Sequence, residues 1–458
     1  MDAVLLARTL ALRSAWRSRD GWSKERLVAH DRRALAALRR HAYTHSSYYR
    51  RRHAGLHEAP LRELPVVTKA DLMDAFDDAV AVPGLRLADL EVHLRRLTAA
   101  GGDPGRPWRG RWWVAATAGT TGRRGVFVWN RAEWAAVLAS YARANDWAGV
   151  RVGVRHPLRL AVVSSLVPTH QSAVVGASLH SPLVPTLRLD ATAPVAETVA
   201  SLNAFGPRLL VGYPSALRPL AAEQTAGRLH IAPEAVMSAS EVLSAAVAAG
   251  LAQAWGTAPH NVYAATETAG LASPCEHGRM HLYEDLVICE SVDDAGSEVP
   301  PGTTGSRLLV TVLFSRTLPL IRYELSDRVA LGAGRCPCGR PSRTVEEIEG
   351  RREDVLALPG DHGVVSVHPN VFHDVLDGLA LSGWQVVQEA DGLRVLLAGG
   401  PGPGTSGLGT GGVKDLLVER LRSAGAGPIR VTVEAMSAIP RTPLGKTPLV
   451  RARPPDDS

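Results

Sequence analysis

Nine consecutive residues, Thr117-Ala118-Gly119-Thr120-Thr121-Gly122-Arg123-Arg124-Gly125, carry the composition of a phosphate-holding loop. Gly119, Gly122 and Gly125 let the backbone fold back with its N–H groups exposed, and Thr117, Thr120 and Thr121 add hydroxyls beside them. The same residues also fit a plain hairpin turn. The P-loop of nucleotide hydrolases is excluded, because no lysine follows the last glycine as G-x-x-x-x-G-K-[ST] requires. Gly445-Lys446-Thr447 has that ending, but Pro440 stands where its first glycine belongs. Three charged residues lie further along: Glu267, closing Tyr263-Ala264-Ala265-Thr266-Glu267; Asp327, after Arg322-Tyr323; and Lys446. Joining a carboxylate to the α-phosphorus of ATP needs such a set. Triphosphate oxygens must be held, magnesium needs a carboxylate, the ribose hydroxyls need an acceptor, and two crowded anions need a cation. Each piece alone is weak, since a strand-end acid is usually a cap and a lone lysine is usually solvated.

The cysteines form a second constellation. Cys275-x5-His281 follows Glu267, and Cys336-Pro337-Cys338-Gly339 follows Asp327. Together they make a Cys₃His set suited to a structural, tetrahedral zinc ion if the pieces meet in space, with His277 competing for the histidine position. Buried free thiols are the plainer alternative, and Cys289 has no evident partner.

These residues need a large scaffold. The chain has 458 residues, 45% hydrophobic and 21% charged, enough for at least two domains. Its net charge of +6 comes from scattered residues, and Arg39-Arg40 and Arg50-Arg51-Arg52 read as solvated helix faces, so no nucleic-acid partner is expected. No apolar run approaches the roughly 18 residues that cross a bilayer, and Met1-Asp2-Ala3-Val4 does not open a signal peptide. A soluble protein of the reducing cytoplasm, without a membrane partner, is the expectation.

Residues 1 to about 100 have helical spacing and predict two or three helices, with a turn and cap at Pro65–Leu72. The glycine loop lies between the short strands Trp112–Ala116 and Val126–Trp129, and a helix runs from Arg131 to about Trp147. Apolar strands then alternate with helices: Leu160–Val163, a helix over Pro194–Ala204, Leu209–Tyr213, Ala235–Ser238, a helix over Ala246–Trp255, and Asn261–Tyr263. That alternation predicts a parallel sheet covered on both faces, with ligands at the carboxyl ends of its strands. One rim would then hold Ser238-Ala239-Ser240-Glu241 beside Ala264-Ala265-Thr266-Glu267, and Ser240 and Glu241 join the candidate nucleotide site. Strands dominate beyond Gly302, and Gly350-Arg351-Arg352-Glu353-Asp354 is a polar hinge. The fold class is α/β. A large N-terminal domain, 1–350, would have mixed and parallel sheets covered by helices plus a β-rich subdomain, and a small mobile α/β domain, 351–458, would carry Lys446.

In this order the motifs resemble those of the adenylate-forming superfamily, which holds acyl-CoA synthetases, peptide-synthetase adenylation domains and luciferases. Within it the chain is similar to the phenylacetate–CoA ligase family over about residues 112–451. The resemblance implies that Thr117–Gly125 holds phosphates, Tyr263 lies against adenine, Thr266 meets the α-phosphate and Glu267 holds magnesium. It further implies that Asp327 binds the ribose, Arg351 contacts the nucleotide, Glu353 is the pivot and Lys446 completes adenylation. Ala264 and Ser326 stand where the family has glycine, and Glu353 where it has Asp or Lys. A Cys/His pair and a C-x-C-G segment recur in that family at these places. By analogy His170, Tyr213, Ser238, Ser240 and Ala264-Ala265 line an acid pocket suited to a planar aromatic or medium acyl acid. The implied activity joins an aromatic or arylacetic acid to ATP as an acyl-adenylate, releases pyrophosphate, and passes the acyl group to a thiol, by default coenzyme A. A carrier-protein thiol or an amine is the rival acceptor, and a zinc-stabilised module that only binds nucleotide is the rival of another class.

Overall fold

The computed structural model describes residues 2–102, 105–117, 124–153, 155–178, 181–333, 335–361, 363–379, 381, 383–399, 409–440 and 449–453. Gly119, Thr120, Thr121, Gly122 and Lys446 lie outside the described residues.

A nine-stranded sheet forms the centre. Five of its strands are parallel: Thr186–Asp190, Leu160–Ser164, Leu209–Gly212, Ala235–Ala239 and His260–Ala265, in that spatial order. Their apolar sequences fit burial on both faces. Ala161, Val163, Leu210 and Val236 pack with the helices Val195–Phe205, Pro214–Thr225 and Ala245–Trp255, while Leu160, Leu209, Met237 and Val262 pack on the other side with Ala144 and Val150. The strands Ala269–Pro274, Met280–Leu282, Thr344–Arg351 and Asp327–Gly332 extend the sheet antiparallel. The pairings Gly212↔Ser238 and Ala239↔Val262 set the carboxyl ends of neighbouring parallel strands at one edge.

The strands and helices expected between residues 158 and 265 form within about two residues of their expected bounds, an offset ordinary for frayed ends. One expectation is corrected, and one strand forms that was not expected. The first hundred residues hold six α-helices, not two or three: Ala3–Arg19, Lys24–His45, Ser47–Arg52, Lys69–Asp74, Phe76–Ala79 and Leu87–Ala99. Three of these have six residues or fewer, too short to show a 3.6-residue period. The edge strand Thr186–Asp190 also forms, although Thr-Leu-Arg-Leu-Asp lacks the continuous apolar character of its neighbours and is only half buried.

A smaller antiparallel sheet joins Val287–Val292, Arg307–Val312 and Tyr323–Leu325. The N-terminal segment is strapped along it: Val67 N–H donates to the Arg322 carbonyl at 3.0 Å, and Glu324 N–H donates to the Val67 carbonyl at 2.9 Å. Arg322, buried and at φ +48°, locks the strap by donating to the carbonyls of Arg62 at 2.7 Å and Leu64 at 2.6 Å. After residue 355 the apolar side chains form a cluster of their own, including Leu356, Phe372, Trp384, Val395, Leu417 and Val450. It surrounds a four-stranded sheet of Arg430–Met436, Gly392–Ala398, Gly383–Gln388 and Val450–Arg451.

Candidate active site

The base of the glycine loop is a hairpin. Trp113–Ala116 pairs antiparallel with Val126–Trp129, and Thr117 closes it in both directions: its N–H donates to the Gly125 carbonyl at 2.9 Å, and its hydroxyl oxygen accepts from the Gly125 N–H at 2.9 Å. A Cβ at Gly125 would lie 2.9 Å from the Phe127 ring, so any larger residue there would force that buried ring to shift. Both strands are fully buried, so the loop ends are fixed whatever lies between them.

Around the ends of the parallel strands the structure gathers five of the candidate residues. Tyr263, on the last parallel strand, donates its hydroxyl to Asp327 Oδ2 at 2.7 Å. Burial, with the Asp327 charge adding to it, holds the Tyr263 hydroxyl well above its ordinary range, so it remains a donor. Arg351 Nε stands 3.7 Å from Asp327 Oδ1, and Arg351 Nη1 3.9 Å from Glu353 Oε1. The Arg351 side chain is 55% exposed, so these are loose, solvent-screened pairs that leave its donors available. Asp327 reaches this point because its strand pairs with Thr344–Arg351, in which Arg351 is its direct partner.

Glu267 is 6% exposed, in the turn between His260–Ala265 and Ala269–Pro274. Burial raises its carboxyl above the usual range and the Asp327 charge raises it further, while its own backbone N–H, Lys69 and Arg351 pull it down. Tyr323 is a neighbour, its hydroxyl raised by burial and by the Glu267 charge. The result is a buried acid under the charge of a second acid and of two cations, an arrangement that a divalent ion would complete by favouring the carboxylate.

Lys69 is a member of this group that spacing alone did not mark. In sequence it is only the residue after a cap, and Thr68 and Asp71 do form a capping box at the start of Lys69–Asp74. The strap along Tyr323–Leu325 brings it near enough for its charge to lower the Glu267 carboxyl. Ser240 lies at the same edge with φ +71°, a left-handed conformation seldom adopted by serine. Glu241 is occupied at the start of the preceding helix, Pro214–Thr225, accepting from the Ser215 N–H and hydroxyl at 3.0 Å each. Of the expected acid-pocket residues, Ser238 and His170 are buried, and the Tyr213 hydroxyl accepts from the Ser165 N–H at 3.1 Å.

About the second constellation the geometry is compact. The ligand atoms of Cys275, His281, Cys336 and Cys338 all lie within 4.8 Å of one another. Cys275 and Cys336 sulfurs are 3.6 Å apart, too far for a disulfide and near the edge of about 3.8 Å that a tetrahedron with ~2.3 Å zinc–sulfur bonds has. Cys338 Sγ is 3.3 Å from His281 Nε2, and His281 Nδ1 is 3.1 Å from the Ser342 carbonyl. A carbonyl can only accept, so Nδ1 carries the proton and Nε2 is left for a metal. His277 is exposed and outside the group. Cys289 is buried apart from it, its thiol pushed up to about 12 by burial.

No protein-family model matches the chain. Over 275 residues it is 27% identical to the phenylacetate–coenzyme A ligase of Thermus thermophilus, a match that takes in 57% of this chain and 59% of that protein. It thus spans little more than half the length of the curated relatives it matches. Among solved structures, a 2-hydroxyisobutyryl-CoA ligase in its postadenylation state, bound to 2-HIB-AMP, superposes with a TM-score of 0.72 at 20% identity, over 96% of this chain and 92% of that one. The same ligase in its thioesterification state gives 0.60. An anthranilate CoA ligase bound to anthranoyl-AMP gives 0.52 at 17% identity, over 73% and 65% of the two chains. The chain has the fold of the adenylate-forming superfamily, as the order of its motifs implied. In sequence it is similar to phenylacetate–CoA ligase.

Proposed function

We propose that the protein activates a carboxylic acid with ATP, releasing pyrophosphate and forming an acyl-adenylate, and then transfers the acyl group to a thiol, with coenzyme A as acceptor. The observation that carries this reading is the cluster of Tyr263, Asp327, Arg351 and buried Glu267 beside the closed base of the glycine loop. In it Asp327 is the acceptor for the ribose hydroxyls, and the Tyr263 ring is the wall for adenine. Arg351 contacts the nucleotide. Glu267 would hold magnesium, which supplies charge neutralisation for the phosphates when bound. Thr117 and Gly125 fix the loop whose Gly119, Thr120, Thr121 and Gly122 hold the phosphates, and Thr266 meets the α-phosphate. Lys446 brings the cation that stabilises charge as the carboxylate oxygen attacks α-phosphorus and pyrophosphate leaves. Glu353 is the pivot of the portion that follows it, and the two portions meet at 350/351.

The acid is aromatic or arylacetic in this reading, supported by the likeness to phenylacetate–CoA ligase. Cys275, His281, Cys336 and Cys338 hold a structural zinc ion, supported by their spacing and by the Ser342 carbonyl that orients His281. Pyrophosphate release measured across a panel of acids, with and without coenzyme A and followed by mass analysis, tests the proposal. Aromatic acids should release pyrophosphate and yield a CoA thioester. Release with no acid of the panel would overturn it.

A further inference from the structure

We infer that Gln171, held by Tyr141, is a positioning residue that ties the Thr266–Glu267 turn to the base of the glycine loop. The inference rests on the adenylation reading above. Gln171 is 4% exposed and opens the helix Gln171–Ser178. Its Nε2 donates to the Thr266 carbonyl at 2.9 Å, and its Oε1 accepts from the Tyr141 hydroxyl at 2.7 Å. The orientation of the amide follows from chemistry: a carbonyl only accepts, so the NH₂ must face Thr266 and the oxygen must face the tyrosine.

Two residues earlier, the Thr169 carbonyl accepts from the N–H of Ala116 at 2.8 Å. Ala116 is the last residue of the strand that enters the glycine loop. The three-residue span 169–171 therefore touches both halves of the proposed phosphate site, one through each end. Within the turn, the Thr268 N–H donates to the Ala265 carbonyl at 3.3 Å and the Thr268 hydroxyl to the Ala269 carbonyl at 3.1 Å, and the Ala265↔Ala269 pairing closes it. The hairpin closes the turn on itself, and the bond from Gln171 links it to the span that holds Ala116 at the loop base. Tyr141, on the helix Arg131–Trp147, holds the amide from behind.

Gln171→Met keeps the length of the side chain and removes both bonds, and Tyr141→Phe removes only the rear one. A shift of the turn by about 1 Å is enough to cost on the order of a hundredfold in rate. Acid-dependent exchange of labelled pyrophosphate into ATP should fall about 10- to 100-fold in Gln171→Met and severalfold in Tyr141→Phe. The magnesium concentration for half-maximal rate should rise in both, while the KM for the acid stays near that of the natural protein. A purely structural role would lower the melting temperature without moving the magnesium requirement, and that result would overturn the inference. So would exchange at the natural rate in both variants. Should Gln171→Met not accumulate as folded protein, Gln171→Asn, one methylene short of Thr266, is read by the same outcomes. An absence of exchange in the natural protein would instead overturn the adenylation reading itself.

Discussion

At the residue scale, charge is placed where burial works against it. Glu267 feels the Asp327 charge, and its own backbone N–H, Lys69 and Arg351 offset the crowding. A divalent ion relieves such a site, so Glu267→Gln should raise the magnesium requirement of the reaction, read as rate against magnesium concentration. A second crowded acid lies away from the site. Burial raises the Asp31 carboxyl from 3.8 to about 7, with Glu284 and Asp285 adding to it and Lys24 and Arg343 opposing it. Asp31 Oδ1 has no hydrogen-bond partner among the described residues. The folded protein therefore holds a proton that the unfolded chain has lost above about pH 4, and stability falls as pH rises from there to about 7. Asp31→Asn carries no charge, so it should raise the melting temperature at pH 8 and lose that advantage near pH 4. Melting curves at those two values check this, and an equal effect at both would contradict it.

At the scale of elements, the four candidate metal ligands come from three places: the end of Ala269–Pro274, the strand Met280–Leu282 and the loop after Asp327–Gly332. A zinc ion there would join the antiparallel strands to that loop, and metal binding of this kind is itself folding free energy. Metal analysis of purified protein should find about one zinc per chain, and Cys338→Ser should lose it and melt at lower temperature. A folded, metal-free natural protein would contradict the assignment. The Cys₃His set was legible because its spacing is unusual, and the parallel strands were legible because each is a short, nearly unbroken apolar run. Lys69 was not, because only the long-range strap from Arg62 to Val67 carries it to Glu267. Gln171 and Tyr141 were not either, since a single buried amide and phenol have no period or motif. The short helices of the first hundred residues take their shape from packing. Tyr49, for example, is fully buried and donates to the Pro319 carbonyl at 2.8 Å.

At the scale of the whole molecule, polar contacts join the portion after residue 355 to the rest, among them His368 Nε2 at 3.4 Å from Glu349 Oε2. Arg218, in the middle of the helix Pro214–Thr225, donates to the Leu379 carbonyl at 2.5 Å and stands 3.5 Å from Asp377 Oδ1. Asp377 is in turn held by Trp384 Nε1 at 2.7 Å and lies 2.8 Å from His373 Nδ1. Polar contacts of this kind would suit the exchange of partners that the proposed two-step reaction calls for. Arg218→Ala should loosen this arrangement and slow acid-dependent pyrophosphate exchange by roughly fivefold, the equivalent of one hydrogen bond of about 1 kcal/mol. Unchanged exchange would mean that the contact does not govern the first half-reaction. No described helix is long and apolar enough to cross a membrane.

The adenylation claim is tested most directly by the exchange of labelled pyrophosphate into ATP, which reports acyl-adenylate formation alone and needs no acceptor. The natural protein should catalyse exchange only when an acid is present. Lys446→Ala should lose on the order of a hundredfold of that rate, about 3 kcal/mol in the barrier, while still binding ATP. Exchange that does not depend on any acid, or an undiminished rate in Lys446→Ala, would contradict the account.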